Sequence, residues 1–248
     1  DDVGEDNCRA GGAKALRQRA ITDPEGFWGE AAQLIDWYQE PSTVLDTSAA
    51  PAAHWFPDGT LNTCFNAVDR RVRDGRGNQR AICYGSPVTG TKRTYTYAEL
   101  LDEVARVAGG LKRLGVGKGD RVLIYMPMVP EAAFAMLACA RLGAVHSVVF
   151  GGFSGAELST RIDDCACKAI LTASCGIEPA RLVAYKPMID EGRRLAEVEV
   201  EHVVVLQREQ HRAELDNGEL DWADLVDGVE PADCVPVAST DPLYILYT

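Results

Sequence analysis

The chain has 248 residues, 46% of them hydrophobic and 25% charged, which is a globular composition and not a disordered one. Its 25 Lys and Arg stand against 37 Asp and Glu, a net charge of −12, and this argues against a general nucleic-acid partner, which needs a basic surface to offset phosphate charge. A membrane span is excluded as well, because the richest apolar run, 132–140, falls short of the roughly 18 residues required and is followed by Arg141.

Residues 1–60 read as a mostly helical amino-terminal extension lying on a larger domain, and 61–248 as the α/β portion of that domain. In the extension, Asp23-Pro24-Glu25 predicts a helix start with Asp23 as cap and Pro24 in the first turn. The stretch 41–57, with three prolines, reads as loop. Leu61, Phe65, Val68 and Val72 then fall at helical spacing, followed by a polar turn at 74–78. Two extended runs, 81–84 and 94–97, predict a hairpin. Thr96-Tyr97-Ala98-Glu99 fits a capping box that opens a helix ended by Gly115.

From there strand and helix alternate. Strands are predicted at 121–126, 145–149, 169–172, 202–206 and 243–247. Helices are predicted at 130–142, closed by Gly143, from the Ser154–Glu157 capping box to about 164, from Pro187 to about 196, and near 222–226. The strands are continuous Val/Ile/Leu runs joined by long crossovers, so the expected fold is α/β, a twisted parallel sheet flanked by helices.

Ligands of open α/β sheets bind beyond the carboxyl ends of the strands. That rule selects Met126–Pro130, Phe150–Ser154, Thr172–Gly176 and Thr248. In Phe150-Gly151-Gly152-Phe153-Ser154, two glycines permit close backbone approach and a helix amino end offers N–H groups to an anion; a plain tight turn before a capped helix is the alternative. It is not a GxGxxG fingerprint, so a dinucleotide site gains little support. Arg181, just past the third strand, is either a phosphate-pairing fork or a surface arginine. Cys165 and Cys167 have poor spacing for zinc, and the four histidines are scattered, so no metal ligand and no catalytic side chain is assigned. The cysteines, at 8, 64, 83, 139, 165, 167, 175 and 234, read as reduced thiols. With an acidic amino end that is no signal peptide, they point to the cytoplasm; a trimmed start, suggested by the absent initiator Met, is compatible with the mitochondrial matrix.

Several ordered segments resemble one family. The run Gly119-Asp120-Arg121-Val122-Leu123-Ile124-Tyr125-Met126-Pro127-Met128-Val129-Pro130-Glu131-Ala132, continuing through Ala140-Arg141-Leu142-Gly143-Ala144-Val145-His146-Ser147-Val148-Val149-Phe150-Gly151-Gly152-Phe153-Ser154, is similar to the AMP-forming short-chain acyl-CoA synthetases. Upstream Trp55-Phe56-Pro57-Asp58-Gly59 and downstream Asp241-Pro242-Leu243-Tyr244-Ile245-Leu246-Tyr247-Thr248 match in order, so the likeness covers about residues 20–248. Cys175-Gly176-Ile177-Glu178-Pro179-Ala180-Arg181 and Ala184-Tyr185-Lys186-Pro187 look most like propionyl-CoA synthetases. Acetyl-CoA synthetases tend to carry an arginine where Glu178 stands, and only the second arginine position, Arg181, is kept here.

The resemblance implies the first part of the large domain of an adenylate-forming enzyme. Its reaction joins a short carboxylic acid, propionate in the first instance and acetate as the alternative, to CoA through an acyl-adenylate, using ATP and Mg2+. It implies that Phe150, Gly151 and Gly152 line the CoA nucleotide site, that Arg181 meets a CoA phosphate, and that Thr248 begins the loop around the ATP phosphates. The rest of that loop, the acyl pocket and the adenylating lysine would belong to a missing carboxyl-terminal part, so these 248 residues are expected to be inactive alone. A non-catalytic CoA-binding fragment and an unrelated NAD-binding domain are the competing readings; the second lacks its glycine fingerprint.

Overall fold

The computed structural model describes residues 10–178 and 181–247. They divide into two compact units, one running to Leu61 and including Pro236–Asp241, the other comprising Asn62–Val235 and the residues from Pro242.

In the first unit, helices Ala10–Thr22 and Pro24–Ala32 are followed by irregular chain. Asp23 caps the second helix by accepting from the Gly26 N–H at 3.1 Å, with Pro24 in its first turn, as the sequence indicates. Two short antiparallel pairs, Leu45–Asp46 with His54–Trp55 and Thr60–Leu61 with Val237–Ala238, brace the loop region. Asp58 ties it down, accepting from the Ser42 hydroxyl at 2.5 Å and the Ser42 N–H at 2.8 Å. Trp37 packs against Gly59, where a Cβ would come 2.8 Å from the ring.

The second unit is built on six parallel strands. Their order across the sheet is Leu220–Asp221, His202–Leu206, Ala169–Ala173, Arg121–Tyr125, Val145–Val148 and Tyr244–Ile245. The parallel sheet expected from the Val/Ile/Leu runs is therefore present, with one strand more than expected and with the last strand shortened to two residues. Alternate residues feed two cores. Val122 and Ile124 face a cluster with Val104, Val107, Leu111 and Phe134, carried by helices Tyr97–Arg113 and Pro130–Leu142. Leu123 and Tyr125 face Leu158, Ile162 and Ile189, carried by helices Gly155–Cys165 and Lys186–Leu195. Each fully buried Leu or Ile contributes about 1.5–3 kcal/mol.

Local signals place these helices. Thr96 and Ser154 both make complete capping boxes with Glu99 and Glu157. Gly143 closes the Pro130–Leu142 helix at φ 69, a left-handed conformation that costs glycine nothing and lets the chain turn at once into the Val145–Val148 strand. The predicted hairpin is observed, antiparallel, as Arg80–Ser86 with Thr91–Thr96.

Three expectations need correction. Thr172–Gly176 is not simply a loop after the third strand: Cys175–Glu178 pairs antiparallel with Arg181–Ala184, so Arg181 sits on a small hairpin. The helical pattern at Leu61 starts later, because Leu61 pairs with Val237 in a strand, and the turns that follow, Phe65–Asp69 and Val72–Arg76, are π-type. No strand is predicted between 206 and the helix near 222–226, yet Leu220–Asp221 adds an edge strand beside His202–Leu206.

Candidate functional site

At the carboxyl ends of the strands lies a cleft of about 420 Å3. Met126–Val129, Val148–Gly152 and Gly176–Glu178 line it from the ends of three neighbouring strands or from just beyond them, the Tyr84–Val88 end of the hairpin borders it, and Tyr185 and Arg208 complete it. Phe150, Gly151 and Gly152 are thus brought together in one cavity wall, and Phe150, 74% exposed, is available to a flat apolar partner.

Tyrosine hydroxyls hold the turn. Tyr125, fully buried at the end of its strand, donates to the Phe153 carbonyl at 3.0 Å. Tyr185 packs on Tyr125 with ring centroids 4.7 Å apart and pushes its own hydroxyl between two glycine backbones. A Cβ on Gly151 would lie 2.1 Å from that oxygen, and one on Gly176 2.5 Å from it. Gly151 is therefore glycine because a tyrosine approaches it, a reason internal to the protein that sequence reading assigned to a ligand. Burial raises both phenol pKa values, so both remain neutral hydrogen-bonding groups. The Ser154 capping box then fixes the helix that follows.

Arg181 does not reach the cleft wall. Its Nε donates to Glu178 at 2.7 Å and its Nη2 to the other carboxylate oxygen at 3.4 Å, while the side chain stays 69% exposed. Its hydrogen bond holds the Glu178 carboxyl below the usual range. Thr248 lies outside the described residues.

Arg208 was missed in the sequence. It follows the His202–Leu206 strand, so the same carboxyl-end rule that selected the other segments would have found it. Its backbone N–H donates to the Ser174 hydroxyl at 2.8 Å and its Nη1 to the Cys175 carbonyl at 3.1 Å.

Two side-chain groups have ligand atoms close enough for a metal among the described residues: Cys64, Asp69 and Cys234, and Asp190, Asp216 and Glu219. Each already encloses a cation. Arg141 Nη1 binds Asp69 at 2.8 Å and Cys234 at 3.1 Å, and Lys186 Nζ binds Asp190, Asp216 and Glu219 at 2.6, 2.9 and 3.1 Å. Both read as structural charge networks. Neither includes Cys165, Cys167 or Cys175.

Comparison with known proteins fits this architecture. Residues 68–248 match the AMP-binding enzyme family model, and residues 13–67 match the acetyl-coenzyme A synthetase N-terminus. The mitochondrial acyl-CoA synthetase short-chain family member 3 of Bos taurus is 47% identical over 99% of this chain and 37% of its own length. The acetyl-coenzyme A synthetase of Streptomyces coelicolor is 48% identical over 93% of this chain and 36% of its own. The solved acetoacetyl-CoA synthetase from Streptomyces lividans superposes with a TM-score of 0.85 at 27% identity, over 96% of this chain and 36% of that one. The chain thus spans little more than a third of the length of these relatives. It belongs to the AMP-binding enzyme family, with a leading segment of the acetyl-coenzyme A synthetase type.

Proposed function

We propose that this chain is part of an AMP-forming ligase that joins a short carboxylic acid to CoA, with propionate as the acid and acetate as the second choice, and that its own contribution is the CoA nucleotide cleft. The observation that carries this reading is the pinned Phe150-Gly151-Gly152 turn, which presents an exposed phenyl ring over an apolar cleft at the strand ends of a family member. The ring suits an adenine face. The acid would attack the α-phosphate of ATP, with Mg2+ neutralising the departing pyrophosphate, and CoA thiolate would then displace AMP.

In this reading Thr248 opens the ATP phosphate loop, and adenylation depends on residues that these 248 do not supply. The relatives' names favour a small acid over a second protein as substrate. We place the protein in the cytoplasm on its free cysteines, with the mitochondrial matrix as the second choice.

Calorimetric titration of the purified chain with CoA, and separately with NAD, tests the cleft. Saturable uptake of CoA without NAD is the expected result, and uptake of NAD alone would overturn the assignment. In a parallel assay with propionate, ATP and Mg2+, the 248-residue chain should release no pyrophosphate; release would show that adenylation needs nothing further.

A further inference from the structure

A chain with a net charge of −12 holds an anionic nucleotide only where a local cation offsets its own field. Among the described residues that line the 420 Å3 cleft, Arg208 is the one cation. Arg181 is turned to other use: its fork is closed on Glu178, a residue at the cleft's edge. That pair is solvent-exposed on both sides, so water screens whatever charge either partner leaves.

Arg208 differs in three ways. Its backbone is fixed by Ser174 and one of its nitrogens by the Cys175 carbonyl, so the guanidinium is held in place. No carboxylate pairs with it among the described residues, which leaves the remaining N–H groups for a ligand. It also lines a second, more polar cavity of about 310 Å3, with Tyr84, Thr89, Thr91, Arg93 and Glu131. Tyr84, Val129 and Arg208 belong to both cavities, so Arg208 stands where an apolar compartment meets a polar one. A molecule with a flat ring at one end and phosphates at the other matches that division. Two carboxylates, Glu131 and Glu209, line this cavity with Arg93 and Arg208; burial raises the Glu131 carboxyl pKa, and the two arginines oppose that rise.

We propose that Arg208 is the residue that receives a phosphate of the nucleotide seated on the Phe150–Gly152 turn, and that Arg181 acts instead to neutralise Glu178. The inference rests on the CoA reading above and names the cation that this reading lacks. A planar guanidinium already held on one side is suited to a forked contact with two phosphate oxygens.

The test is CoA titration of the purified protein and its R208Q, R208K and R181Q variants, each at low and high salt, with thermal melts to confirm folding. R208Q should weaken CoA binding about tenfold or more and flatten its salt dependence, because a charge-assisted bond is lost. R208K should keep the salt dependence and lose less affinity, and it decides the matter if R208Q does not fold. R181Q should change affinity by less than about threefold. Wild-type affinity in both Arg208 variants, or a tenfold loss in R181Q, overturns the proposal while leaving the CoA cleft standing. No CoA uptake by the wild-type protein instead refutes the cleft and the proposal with it.

Discussion

Arg141 and Arg181 both grip a carboxylate, and they stand at opposite extremes of burial. Arg141 is 4% exposed, and besides Asp69 it satisfies the Ala232 carbonyl and meets the sulfurs of Cys64 and Cys234. It joins the 64–69 stretch and residue 234 to its own helix, three places far apart in the chain. Arg181 joins only Glu178, three residues away on the same hairpin, and most of it faces solvent. The same charge chemistry therefore does different physical work. In the interior, removing one partner strands the other in low dielectric, whereas at the surface water takes its place. An arginine recognised by residue type alone says nothing about which of these it is.

Breaking the buried end of this comparison should give the largest effect. Arg141→Met leaves Asp69 and a carbonyl without their donor, and the urea midpoint should fall by the equivalent of about 3–5 kcal/mol. An unchanged midpoint would mean that the cluster relaxes or takes up water.

Lys186 sits between the extremes, its side chain 8% exposed among three carboxylates, one of which, Glu219, is 3% exposed. Lys186→Met should cost about 1.5–3 kcal/mol by the same measurement. The lysine lowers the pKa of Asp216. A depressed carboxylate stabilises the fold above its unfolded pKa of about 3.9 and ceases to do so as pH falls through its folded value. Wild type should therefore lose more stability than the variant on acidification below about pH 4.

The smallest effect belongs to Arg181. Arg181→Gln and Glu178→Gln should leave the neutral-pH melting temperature within its reproducibility; a clear drop in either would place the hairpin in the scaffold, alongside Arg141.

Much of the fold could be read in advance because its signals are local. Ser154 and Glu157 declare a helix start by side-chain chemistry alone, and Gly143 declares a stop. The Arg121–Tyr125 strand is legible because burial on both faces leaves an unbroken apolar run. The Cys175–Ala184 hairpin was not legible: its strands have four residues each, and no Asn-Gly or Asp-Gly marks the turn. Leu220–Asp221 is a strand only because His202–Leu206 lies beside it, a tertiary fact.

Strand-end reasoning selects Phe150, Gly151 and Gly152, which line one cleft, but it does not give the reason for Gly151. The Tyr185 hydroxyl that demands it lies 34 residues away in sequence, brought near by the hairpin and by the 3.1 Å bond from the Tyr185 N–H to the Ser174 carbonyl. Arg208 carries no local signal: it stands in the polar run Gln207-Arg208-Glu209-Gln210-His211-Arg212, with no glycine or cap to mark a ligand-facing turn.

The two tyrosines have a consequence for the thermodynamics of binding. The turn between Val149 and Ser154 is already held from below by Tyr125 and wedged from the side by Tyr185, both in the core, so its backbone entropy has been surrendered during folding. A ligand laid against it has only the exposed Phe150 ring left to order, about 0.5–1.5 kcal/mol instead of the cost of freezing a whole loop. Occupancy of the cleft should thus carry a small entropic penalty from the protein, and the heat of binding should report the ligand's contacts more than the rearrangement of its host.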